Sequence, residues 1–92
     1  MTPVHPGRLL RREMAARALS ANALALALRT PSGRITEILN GKRGVSPETA
    51  LRLGRYFGNS ARFWLNLQTS YALALAEAEV GDRIVLEVTP AA

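Results

Sequence analysis

A chain of 92 residues supplies one small domain and is too short for a second independent core. Hydrophobic residues make up 48% and charged residues 21%, a globular balance and not a disordered one. With no cysteine and a single histidine (His5), disulfide scaffolds, zinc knuckles, thiol catalysis and histidine metal clusters are excluded, and no metal or other cofactor is expected.

Alanine and leucine fill 29 positions while aromatic residues reach only 5%, which favours an all-α fold over a sandwich or barrel. The formal net charge of +5 is segregated. Residues 1–62 carry eleven Lys/Arg against Glu13, Glu37 and Glu48, a net of +8. Residues 63–92 carry Arg83 against Glu77, Glu79, Asp82 and Glu87, a net of −3. A basic body points to a polyanionic partner and an acidic end to a basic one. Eleven of the twelve cations are arginine, whose planar fork suits bidentate contacts with phosphate or guanine. A GC-rich genome would give the same ratio, but not the segregation. No apolar run reaches the roughly 20 residues of a spanning helix, and the N-terminus lacks the apolar core of a secretory signal. A soluble cytoplasmic protein is expected.

In chain order, the first helix is predicted over residues 6–18, with Leu9, Leu10, Met14 and Ala18 on its inner side. Ser20 caps a second helix over 21–28, where Leu24 and Leu28 stand at i, i+4. The chain stops and restarts at Arg29-Thr30-Pro31, and a third helix, capped by Thr30, is predicted over 31–39. Ile35, Ile38 and Leu39 form its buried stripe. Ser46, followed by Pro47, opens a fourth helix whose core face is read as Ala50, Leu51, Leu53, Gly54 and Phe57. Ser60 opens a fifth, predicted to run to about residue 79.

The second and third helices, joined by a three-residue turn, make a helix-turn-helix. Ser32 and Gly33 are small enough for the helix start to approach a groove closely, and its unpaired N–H groups favour phosphate. Arg34 and Thr36 are of types that read base edges. Lys42 and Arg43 follow on a glycine-flanked loop suited to the DNA backbone. An ordinary helical hairpin with a solvated face would show the same spacing, but not the surrounding excess of positive charge.

The fifth helix has two apolar stripes. One contains Trp64, Leu67, Tyr71, Leu75 and Ala78; the other contains Phe63, Ala72, Leu73 and Ala76. One small bundle covers one stripe, so the second needs either the first helix or another molecule. Trp64 reads as a core anchor rather than a base-stacking residue. After Gly81, the alternation of Ile84, Leu86 and Val88 with polar neighbours predicts a short β-strand ended by Pro90. Such a strand has no mate in the chain and would pair with a second copy or a partner, unless it is a frayed tail. The expected division is a helical helix-turn-helix domain over 1–80 and a pairing strand or tail over 81–92.

Several segments together resemble the HigA-type antitoxins, small antidote proteins with a phage-repressor-like helix-turn-helix of the XRE class. They are His5-Pro6-Gly7-Arg8-Leu9-Leu10, Arg34 to Val45 (RITEILNGKRGV), Thr49-Ala50-Leu51-Arg52-Leu53, Tyr56-Phe57-Gly58-Asn59-Ser60 and Phe63-Trp64-Leu65-Asn66-Leu67-Gln68. The match covers roughly residues 5–75 in order. It implies a homodimer on double-stranded operator DNA at its own promoter, nucleoid-associated, and neutralisation of an mRNA-cleaving ribonuclease toxin.

By that resemblance Ser32, Gly33, Arg34, Thr36 and Glu37 face the bases. Ser20, Asn22, Arg29, Asn40, Lys42 and Arg43 are assigned to the DNA backbone. Dimer and toxin contacts are assigned to Trp64, Leu67, Tyr71, Leu75, Ile84, Leu86 and Val88. Two residues depart from the pattern. Arg29 stands where such turns usually carry glycine, and Gly33 interrupts the recognition helix. The alternatives are a phage-type regulator without a toxin, and a protein-interaction domain in which those two departures have abolished DNA binding. The scattered carboxylates and the lone histidine near the N-terminus give no basis for catalysis, so an enzyme is not expected.

Overall fold

In the computed structural model, which describes residues 3–91, the chain folds into α1 (Pro6–Ala16), α2 (Ala21–Leu28), α3 (Ser32–Leu39), α4 (Pro47–Phe57) and α5 (Ala61–Glu87). This is the expected all-α helix-turn-helix architecture. Residues 1–2 and 92, the outer ends of the two expected segments, lie outside the described residues.

Helix starts follow local chemistry. The hydroxyls of Ser20, Ser46 and Ser60 accept from the amides of Ala23, Thr49 and Phe63 at 3.0, 3.3 and 3.1 Å, satisfying donors that the first turn leaves free. His5 does the same for α1, its Nδ1 accepting from the Gly7 amide at 2.9 Å, and its ring meets Tyr71 of α5 edge-on. The terminus at His5 is therefore tied down. α3 differs from expectation: its N-cap is Pro31, which carries no side-chain acceptor, and not Thr30. α1 ends at Ala16, two residues early, because Ala18 turns left-handed (φ 53°) and the Leu19 amide closes on the Met14 carbonyl at 2.9 Å.

The core gathers Leu10 and Met14 of α1, Leu24 and Leu28 of α2, Ile35 and Ile38 of α3, Leu53 of α4 and Trp64 of α5. Trp64 is 0% exposed and its indole donates to Asn59 Oδ1 at 2.8 Å. It belongs to the interior and cannot itself form a partner surface in this fold. Leu51, expected in the core face of α4, is instead 65% exposed. Gly7 lets α1 rest on α3, since a Cβ there would collide with the Ile38 carbonyl.

The C-terminal strand does not form. Residues 81–87 continue α5, and the Val88 amide still donates to the Ile84 carbonyl at 2.8 Å. Ile84 and Leu86 are helical, and Val88 is the extended residue that ends the helix. The alternating pattern spans too few residues to overrule a helix already running from Ser60. Because a helix satisfies its own amides, the predicted strand pairing with another chain has no basis. The boundary drawn after residue 80 falls within α5.

The radius of gyration, 15.8 Å, exceeds the roughly 12 Å of a compact chain this long. The excess comes from α5, whose 27 residues span about 40 Å. Its first stripe is partly covered at Leu67, Tyr71 and Leu75, whereas Phe63, Ala72, Leu73 and Ala76 are exposed. Phe57 of α4 and His5, just ahead of α1, meet the first stripe at Trp64 and Tyr71, while the second is left largely uncovered.

Replacing Gly7 by Ala is expected to cost about 1–3 kcal/mol, because rigid backbone and not a flexible side chain occupies the space; chemical denaturation measures it. His5 gives a pH prediction. Burial lowers its pKa below the ordinary 6.5, opposed by a hydrogen bond to the Arg43 backbone. Between 6.5 and the lowered value the unfolded chain binds a proton that the folded chain does not. Stability should therefore fall as pH drops through that window, and His5→Ala should flatten the dependence in thermal melts.

Candidate nucleic-acid interface

α3 is only two turns long, and its buried side fixes what the other side presents. Ile35 and Ile38 are fully buried, which leaves Ser32, Gly33 and Thr36 exposed and Arg34 and Glu37 half-buried at the margins. The five residues expected to face bases thus share the outer surface of one helix. With no side-chain cap at Pro31, the first amides of α3 remain available.

Arg34 Nη1 donates to Thr30 Oγ1 at 3.4 Å, a long bond that steers the guanidinium while leaving most of its donors unused. Thr30, expected as a cap, acts here as that guide. The Thr36 hydroxyl donates to the Ser32 carbonyl at 3.2 Å, which holds its rotamer. Glu37 accepts from Arg43 Nε at 3.0 Å. Both side chains are about half exposed, so the pair is worth less than about 1 kcal/mol.

The expected backbone-facing residues lie at both ends of this surface. Ser20 and Asn22 are exposed at the start of α2, with the Ser20 hydroxyl engaged as its cap. Arg29 closes α2 in the left-handed region (φ 57°, ψ 50°), as its place in the turn requires. The conformation costs a non-glycine residue about 1–2 kcal/mol. Asn40, Lys42 and Arg43 are exposed beyond α3. Gly41 (φ 74°) reverses the chain there, so that the Lys42 and Arg43 amides donate back to the Glu37 carbonyl at 2.9 and 3.3 Å.

Sequence reasoning missed what holds this loop. The Gln68 side chain on α5 accepts from the Val45 amide at 2.8 Å and packs where a Cβ at Gly44 would stand. It also counted Arg11, Arg17 and Arg52 as charge alone. Arg52 donates to the Leu28 carbonyl at 2.9 Å and Arg11 to that of Leu39 at 3.3 Å, each closing a helix end. Arg17 lies over the Phe57 ring, 4.9 Å from its centroid. Only the interleaving of α-helical ends in space reveals those roles.

The fold and this surface define a helix-turn-helix domain. A family model described as "Helix-turn-helix domain" matches residues 7–62. Virulence-associated protein I of Dichelobacter nodosus is 51% identical over 78 residues, covering 84% of this chain and 72% of that protein. An addiction module antidote protein of the HigA family from Coxiella burnetii is 46% identical, covering 98% of this chain and 99% of that one, with a TM-score of 0.94. The Pseudomonas aeruginosa antitoxin HigA, solved with the higBA promoter, is 44% identical with the same coverage and TM-score. The chain belongs to the helix-turn-helix family and, within it, to the HigA-type antitoxins.

A Cβ added at Gly33 meets nothing within 4 Å. Gly33→Ala is therefore expected to stabilise the fold by about 0.5–1 kcal/mol through helix propensity, read as a higher midpoint in urea.

Proposed function

We propose that the protein is a non-catalytic antitoxin and transcriptional autorepressor that binds a palindromic operator as a homodimer and neutralises an mRNA-cleaving toxin. The observation that carries this reading is full-length similarity to a HigA solved with its promoter, combined with an outward recognition surface on α3. α3 enters the major groove with Arg34 at a base edge, a guanine being the usual partner of such a fork. Ser32 and Gly33 permit close approach, and Thr36 and Glu37 face neighbouring bases.

Ser20, Asn22, Arg29, Asn40, Lys42 and Arg43 hold the phosphate backbone. The Glu37–Arg43 pair is weak enough to exchange for a phosphate. Dimer and toxin contacts draw on the exposed and half-exposed residues of α5, among them Leu67, Tyr71, Leu75, Ile84 and Leu86, with Val88 just beyond. A two-fold dimer sets half-sites about one DNA turn apart, roughly 34–36 Å. The acidic charge of residues 77–87 suits a basic toxin.

Fluorescence anisotropy with the protein's own promoter DNA tests the assignment. Arg34→Ala should relax sequence preference, bringing operator and unrelated duplex closer in affinity. Lys42→Ala and Arg43→Ala should weaken both duplexes alike and each reduce the salt slope by about one. Equal, uniform losses from all three would remove Arg34 from the bases.

A further inference from the structure

The loop between α3 and α4 carries two of the cations assigned to the DNA backbone, yet it is built to be loose. Residues 41–44 are exposed, with a glycine at each end of the Lys42-Arg43 pair and Gly41 in the left-handed region. The first half is tied back to α3, where the Lys42 and Arg43 amides share the Glu37 carbonyl. Beyond Arg43 only Gly44 stands before Val45, which is 4% exposed and returns the chain to the core. The cations do not fix the loop themselves. Among the described residues the Lys42 side chain makes no hydrogen bond or ion pair, and the Arg43 pair with Glu37 is exposed on both sides.

The second half is held from α5. Gln68 Oε1 accepts from the Val45 amide at 2.8 Å, and a Cβ at Gly44 would stand 2.6 Å from the same oxygen. Gln68 lies one turn after the fully buried Trp64 and on the same helix face, so its support is anchored in the core. From the other side, the His5 ring, edge-on against Tyr71, is hydrogen-bonded to the Arg43 backbone. Without such supports the two glycines would leave the loop mobile, and DNA would have to order it on binding at a cost in affinity. A loop already in place avoids that cost.

We infer that Gln68 is a positioning residue for operator binding: it touches no nucleotide, yet the contribution of Lys42 and Arg43 to affinity depends on it. The inference rests on the proposed backbone role of those two cations. It adds to the DNA-binding machinery a residue that lies beyond the matched helix-turn-helix segment, residues 7–62. Gln68 is half-buried and its oxygen is already engaged, so its influence passes through the loop and not through a contact of its own.

A double-mutant cycle on the full chain tests it. Gln68→Met removes the acceptor at nearly constant length. Exchange of the Val45 amide should quicken, and operator affinity should fall roughly 3–10-fold in fluorescence anisotropy. The loss caused by Lys42→Ala should shrink by roughly half or more in the Gln68→Met background, although the two side chains do not meet. The loss caused by Arg34→Ala, on α3, should be the same in both backgrounds. Gln68→Glu keeps an acceptor oxygen and should restore the full Lys42 effect. Gly44→Ala serves in its place if Gln68→Met melts too low to assay, since the added methyl displaces the carboxamide from the loop side. Strict additivity of Gln68→Met with Lys42→Ala overturns the inference. So does an equal shrinkage of the Arg34 effect, which would mean a general loosening of the domain. A Lys42→Ala chain that binds DNA like wild type removes the backbone role itself, a failure distinct from these.

Discussion

The outward face of α3 depends on two isoleucines. α3 is too short to be stable alone, and its position comes from Ile35 and Ile38, both fully buried, and from the close approach of α1 at Gly7. The Gly7 contact is made with backbone, so α3 has little freedom to roll. Rolling by one residue's angle would turn Arg34 toward the core and bring Ile35 into water, at the cost of a large side chain's burial, about 1.5–3 kcal/mol. The polar face is outward because the apolar face has only one place to go.

Positive charge performs two kinds of work here, and composition cannot separate them. Arg11 and Arg52 close the carbonyl ends of α3 and α2, and Arg17 covers Phe57. Lys42, Arg29 and Arg55 make no such side-chain contact among the described residues. A net charge of +8 in the first two-thirds therefore overstates what is free to meet an anion, since part of it is already committed to holding the helices in register.

Much of the fold was legible because its punctuation is local. Ser20, Ser46 and Ser60 mark helix starts through bonds spanning three residues, which the structure makes, and Pro6 and Pro47 mark them through a backbone angle already suited to the first turn. Ends were harder. Ala18 adopts a left-handed conformation that alanine does not advertise, and Gly81 fails to stop α5 because nothing after it offers a better arrangement than another turn. The outward side of α3 could be read from the spacing of its isoleucines. Long-range bonds such as Gln68 to Val45 could not, because no period in the chain announces a contact 23 residues apart. The interior position of Trp64 followed from its type, whereas the exposure of Leu51 reflects a groove that exists only once α2 and α4 are assembled.

Gln68 gives the molecule a mechanical linkage. It stands on the helix whose free end projects from the body, and it grips the segment bearing Lys42 and Arg43 through the amide of Val45. The glycine beside that amide leaves no slack, since the carboxamide fills the space of a missing methyl. At this level the long helix and the basic loop are thus held together by one hydrogen bond and one close packing contact. The side chain that joins α5 to the segment bearing Lys42 and Arg43 is therefore a neutral carboxamide, so the seam between them carries no charge of its own.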